Sequence, residues 1–212
     1  MFDILFPALG ETIYMSFVAT FFAVLIGFFL AIILTLTSKG GLRENLKIYS
    51  ILDVVINTLR SFPFIILMIV LFPLTKFLIG KSIGTTAAII PLTLGAAPFV
   101  ARLIESALKE VEKGVVEAAK SFGASDFQII FKVMLVEALP SIISAITLTL
   151  ITVIGFSAMA GAVGGGGLGD VAIKYGYYRF QTDTMIYTVL ILIALVQICQ
   201  SLGDYLYKIT KK

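Results

Sequence analysis

"EAAKSFGASDFQ", residues 117–128, lies between two strongly apolar stretches, and its reading decides what kind of chain this is. Around it, residues 105–139 form a segment too long for a turn and too patterned for disorder. Leu108, Val111, Val115, Ala119 and Phe122 recur at steps of three and four, the pattern of an amphipathic helix. Gly123 stands where a left-handed helix end belongs. Ser125 reads as an N-cap, and Gln128 three residues on completes a capping box. A second helix carrying Ile129, Ile130 and Val133 then runs toward Pro140. The segment is a helix-turn-helix element whose apolar face either lies among lipid headgroups or docks into the groove of a soluble partner.

Outward from this element the chain is apolar. Of 212 residues, 59% are hydrophobic and 14% charged, and the mean hydropathy is +1.05. The solvent such a chain expects is lipid. Crossing a hydrocarbon layer of ~30 Å takes about 20 mostly apolar residues in a helix. Five stretches meet or approach this: 12–36, 62–79, 86–104, 142–162 and 185–203, with 105–139 as the long loop between the third and fourth. The second is interrupted by Pro73 and Lys76, a lysine that can snorkel to the headgroups. No basic residue precedes the first apolar run, so it reads as a retained helix rather than a cleaved signal peptide.

Five spans place the two ends of the chain on opposite sides. One side then holds Lys39, Arg43, Lys47, Arg60, Arg102, Lys109, Lys113, Lys120, Lys132, Lys208, Lys211 and Lys212. The other holds Lys76, Lys81, Lys174 and Arg179. The positive-inside rule then predicts the amino terminus outside, and the carboxyl terminus and the long loop inside. A net charge of +3 is too small to suggest nucleic acid.

Gly164, Gly166 and Gly169 match G-x-G-x-x-G, the spacing of a dinucleotide-binding loop. That loop requires a strand before it and a helix after it, whereas here an apolar helix precedes it and the predicted side is the outer one. The glycines read instead either as a break in the chain at the mouth of a helix bundle, where φ > 0 is needed, or as a floppy loop. Before them, Gly155, Ser157, Ala158, Ala160, Gly161 and Ala162 form a run of small residues that suits close helix packing in lipid. Phe156 and Met159 are the large side chains in that run, with Ser157 between them. They form either a hydrophobic gate in a narrow path or packing that fills a gap.

Absent residue types exclude several chemistries. The chain has no His, no Trp and a single cysteine, Cys199, so His catalysis, His/Cys metal sites and disulfides are not expected; Cys199 reads as a core thiol. No lysine shares the depth of Ser141 or Ser144, which argues against a Ser/Lys enzyme. Ion-coupled carriers place ionisable groups within their spans; here Arg60, Arg102 and Glu105 are expected at inner ends, which argues for an external energy source.

The wording of the loop adds a resemblance. "EAAKSFG", residues 117–123, with Leu135 beyond it, resembles the EAA loop of permease subunits of type I ABC importers. "LRSFPFIIL" (59–67), "PLTLGAAPFVAR" (91–102), the run 139–170 and "YGYYRF" (175–180) are similar to the methionine branch of that family. The resemblance implies an all-α integral membrane protein with the type I importer permease fold, its permease domain spanning 8–206. It also implies that Glu117, Ala118, Ala119, Gly123 and Leu135 couple the chain to a cytoplasmic ATPase, while the gate expected at Phe156, Ser157 and Met159 rests on the small-residue run alone. Implied partners are a second copy of the chain, two ATPase subunits carrying ATP and Mg, and an extracytoplasmic methionine-binding protein, with no cofactor on the chain itself. The implied setting is a bacterial plasma membrane and the implied cargo L- and D-methionine; the alternatives are another amino acid or an osmoprotectant. One departure stands out: the family pattern ends I-x-L-P, and here it reads Val133, Met134, Leu135, Val136, leaving Pro140 to supply a kink.

Overall fold

A computed structural model describes residues 2–211; Lys212, counted in the charge balance, lies outside them. The described residues are helical from end to end, without a strand. Four helices are long and apolar enough to cross a membrane: α1 (Phe2–Thr37), α5 (Thr85–Lys109), α9 (Leu139–Ala162) and α11 (Thr182–Thr210). A bent pair, α2 (Leu46–Ser61) and α3 (Phe64–Val70), whose axes differ by 104°, is apolar enough only when taken together, as a broken span or a re-entrant loop. Leu71 separates α3 from α4 (Phe72–Ile79), which has Pro73 in its first turn and ends at Gly80.

This pair does not coincide with the second expected span, 62–79. It starts sixteen residues earlier, at Leu46, where Asn45 caps α2 by accepting a hydrogen bond from the Ile48 N–H at 3.2 Å. It breaks at Phe62–Pro63 because a proline lacks the N–H and disfavours helix at the residue before it. Asp53, Asn57 and Arg60 hide α2 from a hydropathy reading.

The bundle is organised around α5. Met15, Ala19, Ala23 and Ala31 of α1 are buried together with Ala88, Leu92, Ala96 and Val100 of α5 in one core. Small side chains bring the two helices close: a Cβ on Gly27 would lie 2.6 Å from the Val100 Cβ. In lipid, where apolar burial does not drive helices together, such close packing supplies the association energy. Gly203 of α11 packs in the same way against Thr147 of α9.

The glycine run closes one end of the bundle as an ordered structure, not a floppy loop. Gly164, Gly166 and Gly167 take φ of 86, 77 and 74°, which glycine adopts without steric cost. The chain then forms α10 (Gly167–Val171) and a π-helical stretch (Ala172–Tyr177) before α11. A Cβ on Gly161 would strike the backbone of Gly169 and Asp170, and one on Gly169 the backbone of Ala158. The far end of the small-residue run, at Gly161, is thus packed within the chain, backbone against backbone, while Gly155 faces open space. The start of α1 holds the turn: the Gly167 N–H donates to Glu11 Oε2 at 2.7 Å, and the Leu168 N–H to Thr12 Oγ1 at 2.9 Å.

Candidate functional site

At the opposite end, α5 runs into the 105–139 loop. The expected helix through Leu108 and Phe122 is divided. Leu108 is buried as the last apolar turn of α5, the chain turns at Glu110–Glu112, and α6 covers Lys113–Ser121. Val116 and Ala119 turn toward the main core, while Glu117, Ala118 and Lys120 face out. Phe122 is not on the buried face: it is 91% exposed, because the chain reverses at Gly123 (φ 79°). The Ala124 N–H donates to the Ala119 carbonyl at 3.1 Å and the Gly123 N–H to that of Lys120 at 2.9 Å, the paired bonds of a Schellman helix end.

The capping box forms as expected. The Gln128 N–H donates to Ser125 Oγ at 3.3 Å, and the Ser125 N–H to Gln128 Oε1 at 2.9 Å. The second helix runs through α7 (Asp126–Gln128), a π-helical stretch (Ile129–Met134) and α8 (Leu135–Glu137). Its Ile129, Ile130 and Met134 are buried in the main core, and Leu135 packs beside them. Phe127 stacks on Phe131 with ring centroids 4.4 Å apart on the outer face. Ala138 separates α8 from α9, which has Pro140 in its first turn.

The loop therefore presents Glu117, Ala118, Lys120 and Phe122 as a rigid projecting edge, with both flanks anchored in the bundle. Arg43, from the α1–α2 turn, pairs with Asp126 at 2.6 Å. Between that turn and α6 lies a cleft of about 550 Å³, lined by Lys39, Lys109, Lys113, Glu117 and Lys120 among others. Gly123 and Leu135 shape the element, while Glu117 and Ala118 form its face.

The three gate residues divide. Ser157 is buried and donates to the Ile154 carbonyl of its own helix at 2.7 Å. Phe156 stacks flat on Phe64 of α3, with centroids 4.4 Å apart and planes 1° apart. Met159, one turn further along α9, is 48% exposed on the surface of the single chain.

Two features escaped the sequence reading. First, Glu105, 3% exposed, is the hub of an ion network: it pairs with Arg102 at 2.7 Å and Lys109 at 2.6 Å, and accepts from the Tyr49 hydroxyl at 3.1 Å. Arg102 also pairs with Asp53, so the network rivets α2 to α5. The spacing of 102, 105 and 109 on one helix face was the available signal. Second, Arg60, the penultimate residue of α2 and exposed on the single chain, lines a pocket of about 290 Å³ with Phe99 of α5 and Thr152 and Phe156 of α9.

The geometry is that of a multi-pass helical bundle with a capped loop at one end. Residues 23–212 match the family described as "Binding-protein-dependent transport system inner membrane component", and the chain belongs to that family. It is 54% identical over 206 residues to the "Probable D-methionine transport system permease protein MetI" of Vibrio cholerae, covering 97% of this chain and 92% of that one. It is 50% identical to the "Methionine import system permease protein MetP" of Bacillus subtilis, covering 85% and 81%. Its structure is similar to that of a chain in the inward-facing MetNI methionine ABC transporter, with a TM-score of 0.98 and 42% identity over 100% of this chain and 98% of that one.

Proposed function

We propose that this chain is the permease subunit of an ATP-driven methionine importer, taking L- and D-methionine across a bacterial plasma membrane. Two copies form the path between them, with amino termini outside. Two ATPase subunits, holding ATP and Mg, seat the edge formed by Glu117, Ala118 and Phe122. A binding protein delivers the substrate from outside.

The projecting loop is the observation that carries this reading. A free amphipathic helix would bury its apolar face in lipid, but α6 already packs Val116 and Ala119 into its own bundle, leaving a charged edge for a partner. A mobile ATPase gripping that edge can move the bundle as a body, because both flanks are anchored. The names of the relatives supply the substrate. A carrier driven by protons fits less well: the pocket between α2, α5 and α9 has no carboxylate in its lining to carry a proton.

The test is uptake of labelled L-methionine in cells lacking their own methionine importers, with the chain expressed beside its ATPase and binding protein. ATP-dependent uptake that unlabelled D- and L-methionine block, and that betaine and other amino acids do not, is the expected result. Uptake of a competitor instead would discard the substrate, and uptake without the ATPase would discard the importer.

A further inference from the structure

We propose that Arg60 and the aromatic pocket beside it form a transit site for the substrate amino acid, the guanidinium pairing with its carboxylate and the rings holding its side chain. The inference deepens the importer reading and rests on it. Among the described residues Arg60 has neither an ion pair nor a hydrogen bond, whereas Arg102 is paired to Asp53 and Glu105 and Lys109 to Glu105. The pocket it lines brings together Phe99 and Thr152, near the middles of α5 and α9, and Phe156 one turn beyond Thr152. Arg60 is exposed on the single chain, and ionisable groups within membrane bundles mark substrate pathways or pair with something that arrives. Guanidinium is always charged and its fork matches a carboxylate, so an anion is the partner it fits.

The remaining walls suit an amino acid with an apolar or thioether side chain. Phe64 and Phe156 stack face to face, and thioether sulfur makes favourable contacts with aromatic rings. Gly95 leaves that wall clear: a Cβ there would come within 3.2 Å of the Phe64 ring. The Thr152 hydroxyl donates to the Leu148 carbonyl at 2.8 Å, which leaves its oxygen lone pairs free to accept from an ammonium group. The lining holds no carboxylate, so the ammonium is held weakly, as passage requires. A volume of about 290 Å³ is at the small end of ligand sites. Phe156 connects this site to Met159 one turn away, placing it directly beside the proposed gate.

The test compares wild type with R60K and R60Q in vesicles carrying the full complex of permease, ATPase and binding protein. A second arm measures displacement of labelled methionine from the purified permease–ATPase complex by methionine and by methioninol, which lacks the carboxylate. R60Q is expected to lower uptake by about tenfold to a hundredfold, the loss of one charge-assisted hydrogen bond. R60K is expected to keep most of it, and both variants to assemble at wild-type yield. In wild type methionine displaces the label better than methioninol, and R60Q abolishes that preference. Uptake by R60Q equal to wild type, or equal losses in R60K and R60Q with poor assembly, overturns the site. A wild type that imports a different amino acid discards methionine, and the same comparison run with that solute decides the site. A wild type that moves no carboxylate-bearing solute overturns both readings.

Discussion

Gly161 and Gly169 are required by neighbouring backbone and not by a ligand. A side chain at either would meet main-chain atoms of the α9–α10 contact, which cannot move aside as a flexible side chain could. Gly169→Val is expected to cost about 3 kcal/mol, the upper end for overpacking. The measurement is the thermal midpoint of the purified complex, and an unchanged midpoint would show that the contact is looser than the structure has it. The opposite holds for Glu117. Exposed on α6, it supports nothing inside the chain, so Glu117→Lys is expected to leave folding and insertion intact while separating ATP hydrolysis from transport. Normal uptake by that variant would remove Glu117 from the coupling face. The sequence singled out both regions, but for the glycines it showed only the small residues and not what packs on them, because the partner backbone lies across a turn made of positive-φ glycines.

At the scale of elements, legibility followed local chemistry. The turn at residues 123–128 was readable because a Schellman end and a capping box are written in consecutive residues. The long apolar helices were readable from length alone. α2 was not, since its Asp53 and Asn57 look like loop residues until α5 supplies Arg102 as their partner at that depth. Phe122 was misassigned for a related reason: its spacing fits the apolar face, but the helix ends one residue before it. Under the proposed function, the network centred on Glu105, which ties α2 to α5, is the joint that lets the loop and α2 move together. Glu105→Gln would strand the partly buried cation of Arg102, for which loss of a buried partner costs about 3 kcal/mol. Because Asp53 remains to hold Arg102, the lower end of that scale is expected, read as a fall in thermal midpoint together with weakened coupling. Full stability and normal transport in that variant would reduce the network to surface decoration.

At the scale of the whole molecule, the position of Met159 makes a statement about assembly. A residue that gates a path must be surrounded when the path is shut, yet Met159 is half-exposed on one chain. Under the proposed function the missing wall is a second copy related by a two-fold axis, its own Met159 approaching from the far side. The face of α11 offers the alternative: Ile186, Leu190 and Ile193 are all exposed there, but they form a uniform apolar strip of the kind lipid covers. The lone cysteine, Cys199, is buried, so an added thiol can be followed without interference once Cys199→Ala is in place. Disulfides form only when the two Cβ atoms come within about 4.5 Å. Mild oxidation of membranes carrying Met159→Cys with the full complex is expected to give a cross-linked dimer, with a yield that changes when ATP closes the ATPase subunits. Ile193→Cys is expected to give none. Cross-linking through position 193, and none through 159 in either nucleotide state, would move the dimer face to α11. The gate, and with it the pocket around Arg60, would then lie on the lipid side of the assembly, where neither could serve a path.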